Sequence, residues 1–225
     1  MRFNSNTIHM IYRHAAGLLI GLFLLSGFSP AFAQDQVIRL PEANTSGGMP
    51  LLEALSKRSS QRSFSEQELP LQVLSDLLWS AWGISRPETG RRTAPSANNR
   101  QDIEIYLSMK SGVYRYDEVS HSLVLFLEKD IREKTGRQEW VGSAPLNLIF
   151  VSDYSKLAAS SEEMRLFYSA NHTGYISQNV YLFCASEGLA TVVRALVDRE
   201  MLKAELGLPE NKHITLCQTV GYPGE

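Results

Sequence analysis

An apolar stretch from Ile176 to Ala185 most constrains the fold, because it lies within the longest helix that the sequence predicts. Apart from Ser177, Gln178 and Asn179, this stretch presents apolar side chains on nearly every side. A helix of this kind has to be covered on all of its faces, in a domain core or at a subunit interface. We therefore expect a central helix with other elements, or a second subunit, packed around it.

The same helix is predicted to begin at a capping box, Ser160-x-x-Glu163, and to end near Ser186. Strands and further helices occur in mixed order, without the regular alternation of a parallel βαβ protein, so the sequence predicts an α+β fold. Gly90–Gln101 is predicted to be a polar loop. The other predicted helices are Leu51–Lys57, Pro70–Trp82 and one that Asp198 caps and Gly207 ends, and the predicted strands are Ile103–Leu107, Gly112–Tyr116, Ser122–Leu127, Leu146–Val151 and His213–Val220.

Length and charge narrow the functional classes. The chain has 225 residues, with 22 Lys+Arg and 24 Asp+Glu, for a formal charge of −2. That length suits one domain with a substantial core. The near-neutral charge gives no general attraction for nucleic acid or for an anionic membrane. The presence of only 2 cysteines excludes a disulfide scaffold and a cysteine-rich metal centre.

The N-terminus has the layout of a secretory signal peptide. Arg2 and Arg13 accompany the apolar run Ala15–Phe28, and Ala31-Phe32-Ala33 matches the A-x-A cleavage pattern. We expect this segment to be removed on export, which leaves a periplasmic or secreted protein without a stable membrane anchor. An uncleaved N-terminal anchor is the alternative. The predicted organisation is a signal peptide at 1–33, a polar linker at 34–49 and a single domain at 50–225.

Side-chain catalysts are scarce in this sequence. It contains no nucleophile elbow, zinc-protease pair, P-loop or dinucleotide fingerprint. His121, His172 and His213 lie at no metal-ligand spacing from one another or from a cysteine. Cys184 and Cys217 are predicted to be core residues, with a disulfide between them after export as the alternative. We therefore expect no metal and no catalytic side chain, but an organic cofactor that carries the chemistry.

One polar segment has the composition of a phosphate site. Arg58-Ser-Ser-Gln-Arg-Ser-Phe64 directly follows a predicted helix and spaces two guanidiniums four residues apart, with hydroxyls between them. Arg58 and Arg62 in this pattern can bind a phosphate by forked, charged hydrogen bonds. The alternative is a solvated helix end, where the helix dipole favours cations.

Two further segments suit a flat ligand. Arg91–Gln101 carries two asparagines and Gln101, whose paired donors and acceptors match the edge of a heteroaromatic ring; an ordinary surface loop is the alternative. Gln178–Thr191 is a predicted buried helix that runs into Gly188. Gly188 lets the backbone approach a ligand closely, whereas a simple helix C-cap is the alternative.

In this order, the segments resemble the FMN-dependent nitroreductase superfamily and, within it, the branch of SagB/ThcOx-type dehydrogenases. The resemblance covers essentially residues 50–224, and its specificity comes from the ordered set rather than from any one motif. The matching pieces are Arg58-Ser-Ser-x-Arg62, Arg92-Thr-Ala-Pro-Ser-Ala97, Gly112-Val-Tyr-Arg-Tyr116, Ala144-Pro-Leu-Asn-Leu-Ile-Phe150, Gln178-Asn179, Glu187-Gly-Leu-Ala190 and Val220-Gly-Tyr-Pro223.

This resemblance implies a nitroreductase-like fold, in which helices flank a central, mainly antiparallel sheet and the long buried helix lies at the interface of a homodimer. It also implies FMN as the cofactor, with no catalytic side chain, because the flavin itself accepts and donates hydride. The same resemblance assigns the phosphate and ribityl chain to Arg58, Ser59, Ser60 and Arg62. It implies that the flavin is approached, often from the partner subunit, by Ser96, Asn99 and Gln101. Backbone donors near flavin N5 and O4 would come from Leu189 and Ala190.

The sequence departs from the family pattern in two places. Pro223-Gly224-Glu225 stands where basic residues usually follow the final Gly-Tyr, and Arg91 or Arg92 is the candidate for supplying the missing charge. The Lys-Tyr pair linked with azoline oxidation in the peptide-modifying branch cannot be located. The sequence therefore predicts an exported FMN-dependent oxidoreductase that passes electrons to a small-molecule acceptor, such as a quinone, a nitroaromatic compound or an enone. A non-catalytic protein that binds a flavin or another small ligand is the alternative.

Overall fold

The computed structural model describes residues 36–157 and 161–225, in which helices flank a seven-stranded sheet. The predicted signal peptide, and Ser160 of the predicted capping box, lie outside the described residues. The strands are β1 (Val37–Arg39), β2 (Ile84–Arg86), β3 (Arg91–Arg92), β4 (Ile103–Met109), β5 (Gly112–Asp117), β6 (Ser122–Leu127), β7 (Leu146–Asp153), β8 (Ala190–Arg194) and β9 (Lys212–Gly221), and the helices are α1 (Leu51–Lys57), α2 (Leu71–Trp82), α3 (Glu162–Glu187) and α4 (Arg199–Glu205).

Every pairing in the large sheet is antiparallel, in the order β1-β6-β5-β4-β7-β9-β8. Strand β7 lies inside the sheet, between β4 and β9, and all of its residues are buried. Its Leu148 faces Leu107 of β4 on one side and Gln218 of β9 on the other. A continuous apolar run such as that of β7 is typical of a strand covered on both faces. The predicted α+β fold with a mainly antiparallel sheet is confirmed.

The sheet separates two hydrophobic layers. Leu146, Leu148 and Phe150 of β7 belong to the layer that contains α2 and α3. Ile149 and Val151 alternate with these residues along β7 and belong to the layer that contains α4. This alternation is the period of two that a strand imposes on its side chains. Helix α3 therefore lies on one face of the sheet and α4 on the other.

The two cysteines lie in different layers. Cys184 of α3 belongs to the first layer and Cys217 of β9 to the second, and both are free thiols. A disulfide between them would have to cross the sheet, so the disulfide alternative is wrong and the core prediction is confirmed. Burial raises the pKa of the Cys217 thiol to about 12 and likewise raises the pKa of Cys184. Neither cysteine is therefore a reactive thiolate at neutral pH.

The long helix α3 is capped at both ends by side-chain and backbone geometry. Ser161, rather than the predicted Ser160, is its N-cap, and the Ser161 hydroxyl accepts a hydrogen bond from the Met164 amide at 3.2 Å. Two adjacent serines precede the same acidic first turn, so the sequence pattern does not choose between them. At the other end Gly188 adopts a left-handed φ of 69°. The 26 residues of α3 span about 39 Å.

One chain covers α3 on one side only. Ile176, Val180 and Cys184 are buried against α2 and the sheet. Tyr175 is nevertheless 46% exposed, and Leu182 is half-buried. A single chain therefore leaves part of the apolar surface of α3 exposed, although the sequence pattern predicts that the helix is buried on all sides. Among the residues that the structure describes, no helix combines the length and the hydropathy that crossing a membrane requires.

Four short strands, β1, β2, β3 and β8, lie in segments for which the sequence predicts no strand. β1 lies in the predicted linker and pairs with β6, with Ile38 opposite Leu123, so the linker prediction is wrong for these residues. β3 lies in the predicted polar loop and pairs with β2. β8 follows Gly188 directly and pairs with β9. Strands this short display no clear alternation, and long-range pairing rather than local pattern determines them.

Candidate cofactor site

The segment Arg58–Phe64 follows the end of α1 and is fixed against α3 and β8. The Gln61 amide donates a hydrogen bond to the Thr191 carbonyl of β8 at 3.0 Å. The Ser60 hydroxyl lies 2.8 Å from the hydroxyl of Tyr181 on α3. These contacts bring the first of the three motif segments onto the third, although about 120 residues separate them along the chain.

A cavity of about 200 Å³ opens between this segment and the C-terminal end of α3. Ser59 lines it on one side, and Gly188 and Leu189 line it on the other, so the predicted phosphate segment and the predicted flavin-ring turn share one space. Lys57 also lines the cavity, although no motif singles it out. The lining residues are Lys57, Ser59, Gln61, Tyr181, Cys184, Ala185, Gly188, Leu189 and Thr191.

Three cations lie in or next to this cavity: Lys57 lines it, whereas Arg58 and Arg62 flank the lining residues Ser59 and Gln61 without lining it themselves. The Arg58 guanidinium carbon lies 5.3 Å from the centre of the Tyr181 ring, and Arg62 donates one long hydrogen bond of 3.4 Å to a main-chain carbonyl. Neither arginine takes part in any of the ion pairs found among the described residues. Lys57 pairs with Glu53 of its own helix at 2.7 Å. Free guanidiniums beside hydroxyls form the donor set that binds a phosphate monoester.

Four other cavities in the part of the chain that the structure describes, of about 230 to 640 Å³, are each lined by at least one carboxylate, which the cavity at Arg58–Phe64 lacks. The two largest of them have volumes of about 570 and 640 Å³. The first lies between α2, α3 and residues 44–48, and its described lining includes Asp76 and Glu187 but no cation. The second is lined by two glutamates and by Arg199, whose guanidinium already donates to a main-chain carbonyl at 2.9 Å. A phosphate would meet carboxylates in both. The cavity at Arg58–Phe64 is therefore the candidate cofactor site.

The C-terminal residues run antiparallel to the same segment. The Ser65 amide donates to the Tyr222 carbonyl at 2.9 Å, and the Gly224 amide donates to the Ser63 carbonyl at 3.1 Å. The Ser63 hydroxyl donates to the main-chain carbonyl of Glu225 at 3.2 Å. The residues that replace the expected basic ones therefore lie directly beside the phosphate-binding candidates.

Arg92 cannot supply the missing positive charge, because it is committed elsewhere. It is buried and forms an ion pair with Glu118. Its Nε donates to the side-chain oxygen of Gln101 at 2.9 Å, and another of its nitrogens donates to the Trp82 carbonyl at 3.2 Å. Arg91 is exposed on β3 and does not line the cavity. Of the two candidates for the missing charge, Arg92 is therefore excluded, and Arg91 stays a prediction.

The turn that follows α3 is a helix C-cap, as the alternative reading of Gly188 predicts. Its left-handed backbone is one that glycine adopts without strain. A Cβ at this position would meet no atom within 4 Å, so conformation rather than close approach explains the glycine. The Leu189 amide donates back to the Cys184 carbonyl at 2.9 Å, and Ala190 begins β8 opposite Gly221. The donor roles of Leu189 and Ala190 toward a flavin stay predictions.

Ser96, Asn99 and Gln101 form an interlinked loop of their own. The main-chain amide of Gln101 donates to the Ser96 hydroxyl at 3.0 Å. The side-chain amide of Gln101 donates to the side-chain oxygen of Asn99, also at 3.0 Å. The three predicted flavin contacts of this segment are therefore held together as one unit.

Within one chain, this loop is remote from the cavity. The Ala97 amide donates to Nε2 of His172 at 2.8 Å, which places the loop against the middle of α3. The cavity meets the same helix at Cys184. The helical rise between His172 and Cys184 amounts to about 18 Å. The structure therefore does not bring Ser96, Asn99 and Gln101 to the cavity of their own chain.

Comparison with known proteins identifies the family. The nitroreductase family model matches residues 55–222. The chain is 31% identical over 175 residues to a candidate nitroreductase of Methanocaldococcus jannaschii, a match that covers 73% of this chain and 86% of that one. The crystal structure of a candidate nitroreductase from Ralstonia eutropha superposes with a TM-score of 0.81 at 41% identity, over 85% of this chain and 91% of that chain.

A more distant likeness concerns the fold alone. The NADPH:FMN oxidoreductase of Vibrio harveyi, solved in complex with NAD⁺, superposes with a TM-score of 0.59 at 20% identity, over 78% of this chain and 69% of that chain. The fold is thus shared beyond the range of clear sequence similarity. Because the family match spans most of the chain and the fold agrees with it, this protein belongs to the nitroreductase family.

Proposed function

We propose that this protein is an FMN-dependent oxidoreductase that passes electrons through bound FMN to a small acceptor, such as a quinone, a nitroaromatic compound or an enone. The observation that carries the proposal is the cavity in which Lys57 and the segment Arg58–Phe64 meet the C-terminal end of α3. Family membership supports a redox role. The distant neighbour from Vibrio harveyi, which is named for FMN, supports the choice of cofactor.

The donor set fits the phosphate of FMN. Arg58, Arg62 and Lys57 would bind the phosphate oxygens by charge-assisted hydrogen bonds, which are stronger than bonds between neutral groups. The hydroxyls of Ser59 and Ser60 would add neutral donors. When bound, FMN supplies the capacity to accept and return two electrons. The work left to the protein is to bind and orient the cofactor and to admit the acceptor.

We also propose that the protein acts as a homodimer. The cavity of about 200 Å³ is smaller than the roughly 300–1,000 Å³ of typical ligand sites, which supports a site completed by a second chain. Leu51 and Leu52 on α1, and Phe167 and Tyr175 on α3, are exposed. Large exposed apolar surfaces mark interaction sites. A second copy on these helices would also bring the loop of one subunit toward the cavity of the other.

Export and the sub-family complete the proposal. The signal-peptide pattern of residues 1–33 supports an exported protein, periplasmic or secreted. N-terminal sequencing of exported material is expected to begin at or near Gln34, and an intact Met1 on mature protein would contradict export. The Arg92-Thr-Ala-Pro-Ser-Ala97 motif supports the SagB/ThcOx-type branch. We do not propose azoline oxidation, because its Lys-Tyr pair has no counterpart that we can locate.

An absorbance spectrum of the purified protein, followed by chemical reduction, tests the proposal. We expect the visible bands of an oxidised flavin, in a ratio near one flavin per subunit, and their loss on anaerobic reduction. Addition of a quinone, a nitroaromatic compound or an enone is expected to restore them. A flavin that none of these acceptors reoxidises would favour the non-catalytic binding protein. A colourless protein that takes up no added FMN would contradict the proposal.

A further inference from the structure

The loop between β3 and β4 holds a concentration of unfavourable backbone conformations. Asn98, Asn99 and Gln101 have φ values of 51°, 54° and 48°. Asparagine tolerates this left-handed region, whereas glutamine has no such preference. Conformations of this kind persist where surrounding contacts hold them, and they concentrate at functional sites. The contacts that hold this loop therefore bear on what the loop does.

A buried aspartate–histidine pair fastens the loop to α3. Asp102 is 0% exposed and His172 is 2% exposed. Nε2 of His172 accepts the Ala97 amide at 2.8 Å, and Nδ1 lies 2.5 Å from one carboxylate oxygen of Asp102. The other carboxylate oxygen accepts the Ser152 hydroxyl at 2.6 Å. Because a main-chain amide can only donate, Nε2 is the unprotonated nitrogen, and Nδ1–H donates to Asp102.

A second buried charged residue, Arg92, fixes the other side of the loop. The side-chain amide of Asn99 stays exposed there. Arg92, paired with Glu118, holds the side-chain oxygen of Gln101. Asn99 is exposed, and its side-chain nitrogen donates to no atom of the chain that the structure describes. An outward amide donor of this kind can reach the carbonyl oxygens at the edge of a heteroaromatic ring.

We propose that Asp102 and His172 are positioning residues, which hold Ser96–Gln101 in the conformation that contacts the flavin of a partner subunit. This inference rests on the proposed function. Asp102 fixes the ring and the tautomer of His172, and Nε2 of His172 holds the loop through the Ala97 amide. Both residues act on the flavin through the loop alone, since they are buried in the core of their own chain.

Two substitutions of His172 separate its two hydrogen bonds. In His172→Gln, the side-chain oxygen lies near the former position of Nε2 and can still accept the Ala97 amide. In His172→Asn, the shorter side chain places its nitrogen near the former position of Nδ1, so it keeps the bond to Asp102 and loses the bond to the loop. The two variants therefore differ in the contact with the loop, which His172→Asn removes and His172→Gln preserves.

The measurements are amide hydrogen exchange of the peptide that contains Ser96–Gln101 and titration with both FMN and riboflavin. His172→Asn is expected to speed exchange in this peptide and to weaken both ligands by about fivefold to tenfold, the effect of one hydrogen bond. Both ligands are affected alike because the loop contacts the ring that they share. His172→Gln is expected to restore both measurements to within about threefold of the wild type.

A purely structural role for the pair predicts a different result. In that case both variants lose thermal stability while the affinity for FMN and for riboflavin is unchanged, and this result would overturn the inference. Faster loop exchange without weaker flavin binding would overturn it as well.

Ser152→Ala is the second variant if His172→Asn does not fold. It removes only the hydroxyl that donates to Asp102 and is expected to shift both measurements about twofold in the same direction. No shift in either measurement would overturn the inference. A wild type that binds neither ligand overturns the proposed function itself, and this inference falls with it.

Discussion

The hydroxyl of Ser60 lies 2.8 Å from the hydroxyl of Tyr181, and this contact attaches the phosphate-binding candidate segment to the long helix α3. The same Tyr181 hydroxyl accepts the Val193 amide of β8 at 3.0 Å. One tyrosine oxygen therefore joins three parts of the chain at the cavity. Because Tyr181 is buried, each polar group that it satisfies depends on it rather than on water.

Replacing Tyr181 with phenylalanine should weaken both the fold and the site. The Val193 amide loses its acceptor and Ser60 loses its anchor, so we expect the free energy of unfolding to fall by about 1–3 kcal/mol. We also expect FMN affinity to fall by about fivefold, because the segment is no longer held in place. Urea unfolding and FMN titration measure the two effects.

Tyr114→Phe is the matched control for this prediction. Tyr114 is also buried, and its hydroxyl donates to Ser111 at 3.2 Å, but it does not line the cavity. Its removal should cost about 1 kcal/mol of stability and leave FMN affinity unchanged. Equal loss of FMN affinity in both variants would contradict a specific role for Tyr181.

Arg62→Ala should weaken FMN binding by about tenfold to a hundredfold, since a hydrogen bond to a charged group contributes roughly 1.5–3 kcal/mol. Arg58→Ala should do so by a similar factor. Riboflavin, which lacks the phosphate, should respond little to either change. Arg39→Ala, at an exposed arginine of the edge strand β1, is the control and should alter neither ligand. Unchanged FMN affinity in both site variants would mean that these arginines only terminate a helix.

Glu225→Arg should strengthen FMN binding. The main chain of Glu225 accepts a hydrogen bond from Ser63, so its side chain extends from a position beside the phosphate-binding candidates. Removing a negative charge and adding a positive one at an exposed site should tighten FMN by about twofold to fivefold. Riboflavin titration is the control and should show no gain. Weaker FMN binding in this variant would contradict the placement of the phosphate.

Stability should decline as the pH falls below the ordinary pKa of histidine, in part through His121. Burial lowers the pKa of His121 from its ordinary value of 6.5. The unfolded chain therefore takes up a proton before the folded chain does, so the free energy of unfolding decreases with falling pH until the folded pKa is reached. Thermal unfolding between about pH 8 and pH 5 measures this slope.

His121→Asn isolates that contribution. Asparagine tolerates the left-handed φ of 47° at this position, and it does not titrate, so the slope of stability against pH should become flatter. Burial lowers the pKa of His213 in the same direction, and His213→Asn should therefore leave the His121 share of the slope in place. A His121→Asn protein with the wild-type slope would show that the slope has another origin.

Leu52→Glu should dissociate the proposed dimer without unfolding the subunit. Leu52 on α1 is 80% exposed, so a charge there costs the isolated chain little, whereas a buried interface would have to desolvate it. Light scattering should show monomers. FMN occupancy should fall as well, because loss of the dimer leaves the cofactor site incomplete. Val119→Glu, at a 78% exposed residue in the turn between β5 and β6, is the control and should leave the dimer intact. A wild type that is monomeric at micromolar concentration would contradict the dimer.

Periodicity and capping were sufficient to predict the elements that form the core. The apolar repeat of α2, the capped α4 and the continuous apolar run of β7 are local patterns, and each appears within a few residues of its predicted bounds. The short strands β1 and β8 were not predictable in the same way. Their conformation depends on β6 and β9, which lie far away in sequence.

The site was predictable from motifs only in part. Ser59 and Leu189 do share a cavity, as the order of the motifs suggests. Lys57 and Tyr181 gave no separate signal, since one ends a helix and the other looks like one more apolar residue of α3. The commitment of Arg92 to Glu118 depends on the turn between β5 and β6, which lies 26 residues further along the chain. Tertiary contacts of this kind decide which polar residues stay available for a ligand, and local sequence does not encode them.

Titration of FMN and of riboflavin into the purified wild-type protein tests the central claim most directly, because the two ligands share a ring system and differ in the phosphate. We expect FMN to bind at least about tenfold more tightly than riboflavin, with one molecule for each subunit. Equal affinity for the two ligands, or binding of neither, would contradict a phosphate-dependent flavin site at Arg58 and Arg62.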